Sequence, residues 1–214
     1  MRSPTLTDHL GEWLDEGRTR IGELLVLRRE SGWRLLHHAD REIPALSICT
    51  NPHDAIALAR LDAEGKWRPL RSAPSLTRGW ALDLPDLESV RLALEFLYPA
   101  ALGNYAAFRS GALAAAPLRE VLERQTGMYR VTRHLTDTQA GELVPVVCSS
   151  TGCCLKTILW SLNADQPVPS LPSSKSSPAI DQTGAPGPFI PLLCTEACPL
   201  LIGAVRDKVK GACR

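Results

Sequence analysis

Apolar and polar positions in the first third of the chain follow a pattern that predicts short strands beside amphipathic helices. The stretch "IGELLVLRRESGWRLLHHAD" indicates two strands around a turn at Ser31–Gly32, and "RGWALDL" indicates a further strand. Residues 7–16 place apolar side chains at helical spacing, with Thr7 as a candidate N-cap. We therefore expect a small antiparallel sheet with helices packed on it over residues 1–84.

The pattern becomes helical from Pro85 onward. In "PDLESVRLALEFLYPAAL" apolar residues recur at helical spacing until Pro99 interrupts them, and Pro117 begins an amphipathic helix that Gly127 ends. The following "MYRVTRHL" predicts a strand. The expected fold class is α+β, in which an α/β domain over 1–84 is followed by a mainly helical, cysteine-bearing domain over 85–214.

No periodic apolar pattern is present in residues 163–188. This segment contains six prolines and five serines, a composition that predicts a flexible linker. It has little apolar surface to bury, so deletion of much of 165–186 should be tolerated. The cysteines on its two sides can act together only if the chain returns to the same site after the linker.

Charge and hydropathy exclude several classes of partner. The 24 basic and 23 acidic side chains give a net charge of +1, without a basic stripe, so nucleic acid is not an expected partner. No apolar run approaches the roughly 20 residues that span a bilayer, and the N-terminus lacks the apolar region of a signal peptide. We therefore expect a cytoplasmic protein. Clustered cysteines in that compartment more often bind metal or do redox chemistry than form disulfides.

Five of the seven cysteines form two groups on either side of the linker. They are Cys148, Cys153, Cys154, Cys194 and Cys198. Two separated pairs can supply the four thiolates that a zinc ion or an iron–sulfur cluster needs. Zinc knuckles usually have two residues between cysteines, whereas Cys148 and Cys153 are separated by four and Cys194 and Cys198 by three. Wider gaps favour a cluster, whose iron atoms each take one thiolate, but they leave zinc open.

The second group lies at the start of an apparent helix, "TEACPLLIGAVRDKVK". We expect Cys194 and Cys198 on one face of its N-terminus, where free N–H groups favour thiolate charge. In extended chain the adjacent Cys153 and Cys154 point in opposite directions, so one of them is the expected ligand and Cys153 is preferred. Apolar neighbours are expected to shield the site from water, namely Val146, Val147, Ile190, Leu193 and Leu200.

Four stretches together resemble a known protein family. They are "LYPAALGNYAAFRSGAL", "PLREVLERQTGMYRV", "CSSTGCCLKTILW" and "CTEACP", and they resemble the accessory 4Fe-4S region of bacterial sirohydrochlorin or cobalt chelatase-like proteins. The resemblance runs from about Trp80 to Val205 without the linker, and the first 80 residues are similar to the stabilising domain that accompanies that region. It implies a 4Fe-4S cluster held by Cys148, Cys153 or Cys154, Cys194 and Cys198.

The resemblance implies a function linked to tetrapyrrole metal chelation of the sirohydrochlorin or cobalamin type. The five histidines are scattered and no alternating β-α pattern of chelatase size precedes the matching region, so we expect an accessory protein that is not catalytic alone. Its expected role is electron transfer or redox sensing, with a chelatase-like protein or another redox partner. The alternatives are a structural zinc-binding interaction module and a thiol redox protein that uses Cys153 and Cys154.

Overall fold

The computed structural model describes residues 4–68, 73, 75–148, 154–163 and 189–212. They form two compact units, which we name by their contents. The sheet unit comprises 4–68, 75–112 and 189–192, and the cysteine unit comprises 73, 113–148, 154–163 and 193–212. The α+β fold class is confirmed. Residues 163–188, which the sequence predicts to be a linker, lie almost entirely outside the described residues.

The chain forms seven α-helices and eight strands in its described part. The helices are α1 (Leu6–Asp15), α2 (Asp54–Leu58), α3 (Leu87–Leu97), α4 (Ala101–Arg109), α5 (Leu118–Glu123), α6 (Asp137–Cys148) and α7 (Pro199–Ala212). The strands are β1 (Arg20–Ile21), β2 (Leu24–Arg29), β3 (Gly32–His37), β4 (Ser47–Cys49), β5 (Trp80–Leu84), β6 (Thr157–Ile158), β7 (Phe189–Ile190) and β8 (Leu193–Cys194). Two 3-10 helices cover His38–Asp40 and Gly127–His134.

A six-stranded sheet in the order β4-β5-β3-β2-β1-β7 is the centre of the sheet unit. Strands β1, β2, β3 and β5 pair antiparallel, as the sequence predicts, while β4 and β7 join the two edges in parallel. The predicted hairpin is confirmed, since β2 and β3 pair from Leu24↔His37 to Arg29↔Gly32. Gly32 has φ +137°, and a Cβ there would lie 2.3 Å from the carbonyl oxygen of Leu84, so this position requires glycine.

Helices α1, α3 and α4 pack in the same unit as the sheet. The N-cap of helix α1 lies two residues earlier than expected. Thr5, not Thr7, is its N-cap and exchanges hydrogen bonds with Asp8 in a capping box. The predicted break at Pro99 separates α3 from α4. These helices belong to the sheet unit, and the two units divide between Ala112 and Leu113, whereas the domain boundary predicted from the sequence follows residue 84.

The cysteine unit is mainly helical. Its core comprises Leu118, Val121, Leu122, Leu135, Ala140, Val144, Trp160, Leu162, Ala197, Leu201, Val205 and Val209. The predicted strand at "MYRVTRHL" is wrong, because Gly127–His134 forms a 3-10 helix. Thr132 explains the difference. Its side chain is fully buried, and its hydroxyl donates to the carbonyl oxygen of Tyr129 at 2.7 Å, which closes a local turn.

None of the helices in the described part of the chain is long and apolar enough to cross a membrane.

Candidate metal centre

A short parallel strand pair in the cysteine unit brings together the two segments that carry the thiols. Strands β6 and β8 pair through Thr157↔Leu193 and Ile158↔Cys194. The Leu159 N–H extends the ladder by donating to the carbonyl oxygen of Cys194 at 2.9 Å. The pairing thereby fixes residues 157–158 beside residues 193–194, which lie on the other side of the predicted linker.

Three cysteines stand at the ends of elements in this unit, and a fourth lies shortly before β6. Cys148 is the last residue of α6, Cys194 is the last residue of β8, and Cys198 directly precedes α7. Cys154 lies shortly before β6 in a segment anchored by the neighbouring Leu155, whose N–H donates to the carbonyl oxygen of Ala73 at 2.8 Å. All four are half-buried, and three of them pack against the core of the unit.

The charges of these four thiols affect one another. Burial raises the pKa of Cys148 far above its ordinary value, and the charges that Cys154, Cys194 and Cys198 would carry raise it further. Burial also raises the pKa of Cys194, to which Cys154 and Cys198 add, while Trp160 and Lys156 partly offset the increase. A buried group of mutually repelling thiolates is stable only beside a strong positive charge, and iron or zinc supplies one. The donor set therefore fits a thiolate-ligated metal centre.

The Cys194 sulfur has two hydrogen-bonding contacts. The Trp160 indole Nε1–H donates to Sγ at 3.3 Å, and Sγ–H donates to the carbonyl oxygen of Glu196 at 3.3 Å. Trp160 is only 2% exposed. A buried indole and a backbone carbonyl thus both contact this sulfur.

The expected placement of Cys194 and Cys198 on one helix face is wrong. Cys194 lies on β8, and α7 begins only at Pro199. Proline at the first helical position is favourable because that position needs no N–H partner. The carbonyl oxygen of Cys198 accepts from the Ile202 N–H at 3.0 Å, so Cys198 alone stands where the free N–H groups of the helix begin.

The structure describes only one of the two adjacent cysteines. Cys153 lies outside the described residues. Cys154 lies within them, close enough to raise the pKa of both Cys148 and Cys194. In the part of the chain that the structure describes, no three cysteine, histidine or acidic side chains are arranged as a ready-made site for a metal ion.

The five apolar residues expected around the site differ in position and exposure. Leu193 is buried and Val147 is half-buried against the core of the cysteine unit. Ile190 lies instead in the sheet unit, where β7 pairs with β1. Val146 and Leu200 are 67% and 49% exposed, so they do not exclude water from the thiols.

Helix α6, which ends at Cys148, was not foreseen from the sequence. Thr136 and Gln139 form a capping box at its start, with Gln139 N–H donating to Thr136 Oγ1 at 3.2 Å and Thr136 N–H to Gln139 Oε1 at 2.9 Å. Threonine followed three residues later by glutamine is a readable signal for such a start. Pro145 near the end of α6 obscures the helix in the sequence.

Cys49 stands apart from the other thiols. It lies on β4 in the sheet unit, and burial together with the negative charge of Asp54 raises its pKa. The other cysteines that the structure describes all belong to the cysteine unit, so Cys49 has none of them in its own unit with which to share a metal.

Two family models match the chain in succession. The DR2241 stabilising domain matches residues 7–109, and a 4Fe-4S iron–sulfur cluster binding domain matches residues 110–207. The crystal structure of DR2241 from Deinococcus radiodurans is similar at a TM-score of 0.73 and 29% identity, over 97% of this chain and 42% of that chain. DR2241 is a multi-domain protein with structural similarity to chelatases and two additional novel domains. This chain spans less than half of its length, and no curated protein matches.

The boundary between the two matched regions, at residues 109 and 110, falls three residues from the division between the sheet unit and the cysteine unit. The thiols and the strand pair that joins them all lie within the second region. The resemblance seen in the sequence is thus confirmed, since the chain is similar to a DR2241 stabilising domain over residues 7–109 and to a 4Fe-4S cluster binding domain over residues 110–207.

Proposed function

We propose that the protein is a 4Fe-4S accessory protein for electron transfer or redox sensing, linked to tetrapyrrole metal chelation. The observation that carries the proposal is the meeting of half-buried thiols from two distant segments inside a region matched to cluster binding. A bound cluster would supply one-electron chemistry that no amino-acid side chain of the site offers.

The proposed ligands are Cys148, Cys194, Cys198 and one of the adjacent pair. The sequence favours Cys153, but the effect of Cys154 on the pKa of Cys148 and of Cys194 supports Cys154 as the fourth ligand. A charge acts on a second group this way when the two are close together.

Other residues of the cysteine unit support the same role. Leu193 and Val147 are buried and half-buried neighbours of Cys194 and Cys148 in the chain, and Lys156 offsets part of the negative charge at Cys194. Val146 and Leu200 lie two residues from Cys148 and Cys198 and are exposed. An apolar rim of this kind would let a redox partner approach the site closely.

The proposed partner is a chelatase-like protein, with cobalamin-type or sirohydrochlorin-type tetrapyrrole metal insertion as the process served. Support comes from DR2241, in which the matched regions accompany a part similar to chelatases. We place the protein in the cytoplasm, where free thiols stay reduced. Co-purification with a chelatase-like protein under anaerobic conditions tests the partnership, and its absence at cellular concentrations would contradict it.

The decisive experiment measures the cofactor. Protein purified without oxygen should contain iron and sulfide, with a broad absorbance band near about 400 nm that dithionite bleaches. The Cys148→Ser, Cys194→Ser and Cys198→Ser variants should each lose the band, whereas Cys49→Ser should keep it. One equivalent of zinc without iron would refute the proposal in favour of the zinc module.

The adjacent cysteines are tested as a matched pair. Cys154→Ser should lose iron and Cys153→Ser should retain it, because the charge of Cys154 acts on both Cys148 and Cys194. The reverse result would assign the ligand to Cys153, as the sequence analysis expected.

A further inference from the structure

Trp160 is a buried indole whose hydrogen bond ends on a thiol of the candidate metal centre. An indole N–H can only donate, and a buried donor needs an acceptor. At 2% exposure Trp160 donates to Cys194 Sγ, 3.3 Å from Nε1. A thiol is a weak acceptor, whereas the thiolate of a metal ligand is a strong one. The contact is therefore better suited to the metal-bound state than to the free thiol.

Packing and backbone pairing fix the geometry of this contact. The ring of Trp160 belongs to the core of the cysteine unit. The preceding residue, Leu159, donates its N–H to the carbonyl oxygen of Cys194 at 2.9 Å, so the backbone on both sides of the contact is tied together. The indole cannot turn away from the sulfur without disrupting the packing of this core.

We propose that the Trp160 N–H is a permanent hydrogen-bond donor to the ligand sulfur of Cys194 and raises the reduction potential of the bound cluster. Reduction adds negative charge that is shared with the ligand sulfurs, so a donor at the sulfur stabilises the reduced form more than the oxidised form. The inference rests on the proposed function, since it requires the cluster. Trp160 is a positioning and tuning residue, because it touches a ligand and not the iron.

Trp160→Phe tests the inference by removing the N–H while keeping an aromatic ring. We expect the variant to retain iron but to show a more negative reduction potential. A hydrogen bond that favours the reduced over the oxidised form about tenfold raises the reduction potential by about 59 mV for one electron, and its loss lowers the potential by the same amount. The matched control is Trp80→Phe, which loses a buried indole hydrogen bond of 2.7 Å to the carbonyl oxygen of Thr77 in the sheet unit and should leave the potential unchanged.

A measurement on the wild-type chain covers the case in which Trp160→Phe does not fold. The protein has five tryptophans, so selective ¹⁵N labelling gives five indole N–H signals. Loading the cluster should shift or broaden one of them strongly, because that proton lies on a ligand sulfur.

The outcomes separate this inference from the proposed function. Absence of iron in the wild type would refute both. Iron in the wild type with five unchanged indole signals, or an unchanged potential in iron-loaded Trp160→Phe, would overturn only the role of Trp160.

Discussion

Leu201 and Leu200 are neighbours in the first turn of α7 with opposite environments. Leu201 is 0% exposed within the core of the cysteine unit, and Leu200 is 49% exposed. The turn that carries them follows Cys198 directly, so its packing determines how firmly this cysteine is held. Replacing each leucine by alanine compares the same chemical change at a buried and at an exposed site.

The burial of each leucine determines how much unfolding free energy its replacement by alanine should cost. Leucine to alanine removes three carbon groups, which at about 0.8 kcal/mol each gives about 2.4 kcal/mol of lost burial. A residual cavity raises the total for Leu201→Ala to about 3–4 kcal/mol. Leu200→Ala leaves no cavity and loses at most half of the burial, so about 1 kcal/mol or less is expected.

Hydrogen–deuterium exchange of peptides from α7 measures this cost locally, whatever the stability of the sheet unit. At 1.4 kcal/mol per factor of ten, Leu201→Ala should speed exchange in the apo-protein at least about a hundredfold, and Leu200→Ala by less than about tenfold. The iron content of Leu201→Ala should fall as well, because Cys198 loses its support. Equal exchange in the two variants would refute the orientation of α7.

Two further predictions concern the sheet unit. Burial alone would raise the pKa of Glu23, but contacts with His37, the Leu76 N–H and Ser75 lower it below its ordinary 4.5. Glu23→Gln should therefore lower the free energy of unfolding by about 1–3 kcal/mol at neutral pH, as measured by urea unfolding. A lowered carboxyl pKa stabilises the fold above about pH 4.5, so the difference between wild type and variant should shrink below that pH, and a difference that grew on acidification would contradict this reasoning. Gly32→Ala should cost more than about 2 kcal/mol in thermal or urea unfolding, since its Cβ would lie 2.3 Å from the Leu84 carbonyl oxygen. Gly65→Ala, at φ +74° with open space around it, is the control that isolates backbone strain from this clash, and it should cost less.

Much of the sheet unit could be predicted from the sequence because its signals are local. The β2–β3 hairpin follows from apolar alternation on both sides of Ser31–Gly32, and the α3–α4 break follows from Pro99. Two elements were misjudged for local reasons. The 3-10 helix at Gly127–His134 depends on a buried hydroxyl, and α6 was hidden by Pro145. The presence of a thiolate-bound cofactor could be predicted, because clustered cysteines in a chain expected to be cytoplasmic more often bind metal or do redox chemistry than form disulfides.

The amino-acid sequence is enough to predict the residue types at the site, the hairpin and, through the family resemblance, a 4Fe-4S cluster as the cofactor. Which segments meet depends on the fold. Strands β6, β7 and β8 have two residues each, too few to show a periodic pattern, yet β7 joins the sheet unit and β8 the cysteine unit three residues later. Because β7 and β8 belong to different units, Ile190 lies in the sheet unit, whereas Cys194 lies on a strand beside Trp160 in the cysteine unit. Pairing between residues so far apart in the chain depends on the packing of whole units, which no local pattern of side chains encodes.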